Sequence, residues 1–143
     1  MKRLDHDAVR SVARWALGAA LIVAGTGHLT VQREEFQAQV PSWFPVGADT
    51  VVIVSGIVEI LLGAALILSG RQRSAVVGVV AAGFFIVIFP GNIAQFLEGN
   101  DGFGLDTDAA RFARLWFQPL LVLWALWSTG GWDWLRRRYR GRE

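Results

Sequence analysis

Six residues carry most of the chemistry this chain can offer: His28, Ser55, Glu59, Asn92, Arg114 and Gln118. All lie in or beside long apolar runs, where a polar side chain is costly and tends to have a partner or a task. Glu59 is the extreme case. An acid at the centre of an apolar span costs about 2.5–3.5 kcal/mol on insertion scales, so it pairs, takes up a proton or serves a function. A carboxyl there can exchange protons, while His28, Asn92, Arg114 and Gln118 can donate hydrogen bonds to a small polar head. The plainer reading is a buried link from Glu59 to Arg114 or His28 that only fixes helix packing. Arg114 could equally extend its guanidinium to the surface, and His28 could be a hydrogen-bonded imidazole rather than a metal ligand.

Helical spacing places these residues on faces. Ser55, Gly56, Glu59 and Gly63 form one stripe, and its small residues admit a neighbouring helix, so Glu59 is expected to face protein. Gly18, Gly25 and His28 share a flank of the first apolar run, and Arg114, Gln118, Leu121, Ala125 and Ser128 share a face of the last. Trp116, Trp124 and Trp127 fall on the remainder of that last run, as lipid-facing bulk would. At 1.5 Å per residue, His28 and Arg114 lie roughly 5 Å from the outer helix ends, Asn92 and Gln118 roughly 10 Å, and Glu59 roughly 14 Å. The polar groups therefore gather in the outer half of the structure, with Leu, Val, Ala and Gly filling the inner half. This predicts a pocket that opens outward.

Four uncharged or nearly uncharged runs must position these residues. The chain has 143 residues, 53% of them hydrophobic and 18% charged, and its mean hydropathy is +0.39. That composition belongs to a membrane protein of one domain, residues 1–143. Spans are expected at about 12–31, 50–69, 74–97 and 111–130, each close to the roughly 20 residues that cross a bilayer. Lys2, Arg3, Arg10, Arg14, Arg71, Arg73, Arg136, Arg137, Arg138, Arg140 and Arg142 fall on one side of this arrangement, eleven of the fourteen cations. The positive-inside rule makes that side cytoplasmic. The sequence thus predicts an all-α polytopic membrane protein: an antiparallel bundle of four transmembrane helices with both termini cytoplasmic. Pro90 and Pro119 free the carbonyls of Ile86 and Leu115, so their helices are expected to bend.

The remaining segments refine this outline. Residues 32–49 contain Phe36, Val40, Pro41, Trp43, Phe44 and Pro45, too polar to span and too apolar for a free loop. They read as an interfacial strip over the outer mouth, a candidate lid. The loop 99–108 lacks the spacing of a calcium loop, and Asp106 or Asp108 is expected to cap the helix that follows. The tail 132–142 mixes aromatics with five arginines, suited to anionic lipid at the inner leaflet rather than nucleic acid. Acidic residues near the N-terminus and the lack of a small-x-small site argue against a cleaved signal. With no cysteine, thiol chemistry and iron–sulfur clusters are excluded for this chain alone, and with two histidines neither a bis-histidine haem nor a metal site is expected.

Several short motifs occur in a recognisable order: Gly25-x-x-His28, Phe36 with Val40-Pro41-x-x-x-Pro45, Ser55-Gly56-x-x-Glu59, Phe89-Pro90-x-Asn92 and Arg114-Leu115-x-x-Gln118. Together they resemble the DoxX-like family of small membrane proteins, over roughly residues 15–130, although Leu29 stands where that family usually has an aromatic. The resemblance implies a bacterial or archaeal cytoplasmic-membrane protein that serves as a small subunit or anchor of a redox system. It also implies His28, Glu59, Asn92, Arg114 and Gln118 as a pocket set. The expected function is to bind a small amphipathic ligand such as a quinone, with no covalent cofactor, for a partner redox enzyme. Bound lipid is the alternative ligand, and self-association is a further expectation. A non-catalytic assembly or anchoring protein is the rival function, followed by a small-solute transporter subunit.

Overall fold

A computed structural model describes residues 2–141, with the side chains of residues 2–5 outside the description. The side-chain charges of Lys2 and Arg3, and all of Arg142, therefore lie outside the description. Among the described residues seven helices follow in order: α1 Lys2–Leu29, α2 Arg33–Gln37, α3 Ala48–Leu68, α4 Arg71–Glu98, α5 Asp108–Leu115, α6 Phe117–Thr129 and α7 Gly131–Arg140. The segments His6–Leu29, Ala48–Leu68 and Arg71–Glu98 are long and apolar enough to cross a membrane.

The segment expected as a single span at 111–130 is instead two helices meeting at Trp116. Pro119 has no N–H to return to the carbonyl of Leu115, so the helical ladder is interrupted at that point. The 13 residues of α6 fall short of the roughly 20 needed to cross alone. Pro90, by contrast, lies inside the continuous helix α4. The cap expected from Asp106 or Asp108 comes from Thr107, whose side chain accepts from the Ala110 N–H at 3.2 Å. Asp108 serves in the first turn and pairs with Arg111 at 2.9 Å.

The long helices pack as two pairs, α1 with α3 and α4 with α6, joined where α1 meets α6. Glycines make the first pair possible. A β-carbon on Gly18 would lie 2.7 Å from the carbonyl oxygen of Gly63, and one on Gly25 would lie 2.5 Å from that of Gly56. The seven-residue separation within each helix keeps both contacts on one seam. In the second pair, Thr129 of α6 occupies the place where a β-carbon on Gly78 of α4 would stand. Leu17, Leu21, Leu66, Ala81, Ala82, Phe85, Ala125 and Leu126 form the buried core between the pairs.

Polar contacts tie down the end where α1 begins. Arg14 is buried and donates to the Ser69 carbonyl at 2.6 Å and its hydroxyl at 3.0 Å, closing the C-terminus of α3. Arg10 donates to the Trp127 carbonyl at 2.9 Å, and Arg71 pairs with Asp7. The start of α1, the α3–α4 turn and the end of α6 therefore share one end. This end is not the plain apolar zone expected from the sequence, because Ser74, Ser128 and Thr129 are also buried there. Trp124, expected on the lipid side with Trp116 and Trp127, turns inward and donates to the Ala13 carbonyl at 2.9 Å.

Candidate functional site

The opposite end, which carries α2, holds a cavity of about 630 Å³. His28 from α1, Ser55 and Glu59 from α3, Asn92 from α4, Arg114 from α5 and Gln118 from α6 all line it. The structure thus brings all six sequence-derived residues to one wall system. Its other lining is mainly apolar, with Leu17, Leu21, Phe85 and Leu121 toward the core.

The α1–α3 seam accounts for the first cluster. A β-carbon on Gly56 would lie 2.6 Å from the His28 β-carbon, so the imidazole is laid directly against the Ser55–Glu59 turn. His28 Nδ1 meets the Ser55 hydroxyl at 3.2 Å and Glu59 Oε2 at 3.6 Å. His28 and Glu59 are each 5% exposed, so the acid faces protein as its glycine stripe requires. Among the described residues, Glu59 has no ion pair with Arg114, and its neighbour is His28. Arg114 lines the cavity and lies 5.7 Å from the Phe117 ring centroid.

A second cluster joins α4 to α6. Asn92 donates through Nδ2 to Gln118 Oε1 at 3.0 Å, and Gln118 donates through Nε2 to the Phe85 carbonyl at 2.8 Å. These side chains were expected to donate to a ligand. One N–H of each amide is instead engaged within the protein.

Residues 32–47 cover this end. Phe36, Gln39, Val40, Pro41, Trp43 and Phe44 line the cavity, as a lid would. Phe36 packs edge-on against both the His28 and Phe103 rings. Arg33 pairs with Asp49 at the start of α3, and the bond to Asp49 raises the pKa of the Arg33 guanidinium. Ser42 donates from its N–H and hydroxyl to Glu98 at 3.2 and 2.9 Å, while Glu35 accepts from the Phe103 N–H. At Gly91 the Gln39 carbonyl takes the space of a β-carbon, which lets the strip lie directly on α4.

Four buried polar atoms on this wall have no hydrogen-bond partner among the described residues: His28 Nε2, Gln39 Nε2, Glu59 Oε2 and Asn92 Oδ1. Native interiors rarely leave such groups unmet, because each costs about 1–3 kcal/mol. Gln39 was missed from the sequence. It lies in an irregular strip with no helical face to mark it, and only the strip's aromatic content signalled burial.

Residues 17–129 match the family model described as Domain of unknown function (DUF8561). The chain belongs to this family. The DUF8561 region contains every polar residue of the cavity and the whole covering strip, and it ends before α7. No curated protein and no solved structure matches the chain.

Proposed function

We propose that this protein is an integral membrane protein of the cytoplasmic membrane whose cavity binds a small amphipathic molecule. In this reading the broken α5–α6 segment completes a bundle of four spans, the Arg14 end faces the cytoplasm and the α2 end faces outward. The carrying observation is the convergence of His28 Nε2, Gln39 Nε2, Glu59 Oε2 and Asn92 Oδ1, none with a hydrogen-bond partner among the described residues, on one largely apolar cavity. A volume near 630 Å³ lies within the roughly 300–1,000 Å³ range of small-molecule sites. A polar head would satisfy the orphaned atoms, and the apolar walls would take a ring and the start of a tail. The resemblance to DoxX-like proteins favours a quinone-type head and a role as a subunit of a membrane redox system.

The test is organic extraction of the detergent-purified protein followed by mass spectrometry, together with thermal unfolding in the presence of a short-tailed benzoquinone and its reduced form. A co-purifying amphipathic molecule, or a rise in midpoint that Glu59→Gln or Asn92→Leu abolishes, is expected. No extractable molecule and no shift with either form would overturn the reading.

A second reading, docking of a partner enzyme without ligand chemistry, draws support from Trp43, which is 69% exposed on the covering strip, and Val31, which is 93% exposed beside it. A stoichiometric partner that survives substitution of all six pocket residues would favour it. A transport route has less support, because Leu66, Ala81 and Ala125 are fully buried in the core between the two ends.

A further inference from the structure

We propose that the cavity recognises an aromatic head carrying two hydroxyl groups, the reduced quinol rather than the quinone. This deepens the binding reading above and rests on it. The argument follows two hydrogen-bond relays that each begin at a backbone carbonyl, a group that can only accept. The Phe85 carbonyl receives Gln118 Nε2 at 2.8 Å, so the other atom of that amide is an oxygen. That oxygen receives Asn92 Nδ2 at 3.0 Å. The remaining Asn92 atom is therefore Oδ1, an acceptor with no donor from the protein. Flipping either amide would set like against like somewhere in the relay.

The second relay fixes the imidazole. Ser55 gives its single hydroxyl proton to the Val52 carbonyl at 3.0 Å. With the hydroxyl proton so placed, its contact with His28 Nδ1 at 3.2 Å is met by a proton on Nδ1. Glu59 Oε2, 3.6 Å from the same nitrogen, favours that tautomer as well. A neutral imidazole protonated at Nδ1 presents a bare lone pair at Nε2, the atom left without a partner.

Two acceptors fixed in this way are matched by a ligand that donates. Quinone oxygens only accept and would meet these lone pairs unfavourably, whereas quinol hydroxyls donate. A hydroxyl oxygen also accepts, so Gln39 Nε2 and Arg114 can bond to its lone pairs. The rings of Phe36, Phe85 and Phe103 favour an aromatic head over an aliphatic diol. Phe36 packs edge-on against the His28 ring, which brings an aromatic wall beside the imidazole.

The experiment titrates the full-length protein in detergent with a short-tailed benzoquinone in air and with its hydroquinone kept reduced under argon, read by tryptophan fluorescence. The hydroquinone is expected to bind about tenfold more tightly, the factor equivalent to about 1.4 kcal/mol. Ser55→Ala removes one of the two contacts that hold the proton on Nδ1, so the preference should fall in part, with the Glu59 contact and the Asn92 acceptor still in place. Equal or tighter binding of the oxidised form would overturn the donor assignment and leave the binding reading standing. Binding of neither form would overturn both. An undiminished preference in Ser55→Ala would overturn the imidazole relay.

Discussion

Gly25 on α1 and Gly56 on α3 lie so close that a β-carbon on Gly25 would stand 2.5 Å from the Gly56 carbonyl oxygen. That approach sets His28 against Ser55 and Glu59, because Gly25 and His28 share a flank of α1 just as Gly56 and Glu59 share one of α3. Packing and site geometry here have a single cause.

Gly25→Ala should therefore disturb both. Overpacking of this kind costs about 1–3 kcal/mol, seen as a lower thermal midpoint in detergent. Gly83→Ala is the control, since a β-carbon there meets nothing within 4 Å, and it should be neutral or stabilise by up to about 1 kcal/mol. Equal losses at both positions would remove the seam as the explanation.

Arg14 tests the opposite end. Arg14→Met deletes both bonds to Ser69 and should cost about 1.5–3 kcal/mol, the range for hydrogen bonds from a charged donor. Lys at this position should recover part of the loss. Chemical or thermal unfolding in detergent reads the difference, and an unchanged midpoint would show that the capping contacts do not contribute.

The Asn92–Gln118 relay predicts non-additivity. Gln118→Leu strands the Asn92 amide and Asn92→Leu strands the Gln118 oxygen, so each single change carries an orphaned group that the double change lacks. A coupling of about 0.5–3 kcal/mol is expected in a double-mutant cycle. Simple additivity would mean that the two amides do not depend on each other.

The covering strip should open when its latches are cut. Arg33→Gln combined with Ser42→Ala removes the ion pair with Asp49 and the hydroxyl bond to Glu98, leaving only the Ser42 N–H bond at that latch. Amide hydrogen exchange across residues 33–44 should accelerate about tenfold while the cores of α3 and α4 keep their protection. High salt alone should produce part of the effect, because the Arg33–Asp49 pair is exposed and open to screening. Exchange that spreads through α3 would instead indicate global loosening.

Helix α7 is expected to hold anionic lipid. Arg136 lies 5.1 Å from the Trp132 ring centroid and Arg138 lies 5.0 Å from that of Trp134, pairing cations with aromatics along an exposed helix. Native mass spectrometry should detect retained acidic phospholipid on the intact protein. Replacing Arg136, Arg137 and Arg138 with Gln should abolish it, and retention in that variant would place the lipid elsewhere.

Much of this architecture is legible in the residues taken one after another. Long runs without charge dictate long helices, and two glycine–polar stripes at helical spacing dictate which faces turn inward. Glu59 is predictable as buried because a carboxyl among Gly and Ser has nowhere else to go at tolerable cost. The six cavity residues follow from the same periodicity.

Only the tertiary structure decided which polar group meets which. Whether Asn92 offers a ligand its nitrogen or its oxygen depends on the Phe85 carbonyl, reached through Gln118 on another helix. Which nitrogen of His28 carries the proton depends on what Nδ1 meets, Ser55 and Glu59 on another helix. Periodicity reports the face of one helix, whereas hydrogen-bond direction is set by contacts between helices far apart in the chain. For the same reason Gln39, Thr107 and the inward turn of Trp124 emerged only once the elements were packed together. Trp116, where α5 gives way to α6, belongs with them, since Pro119 announces a bend but not the form it takes.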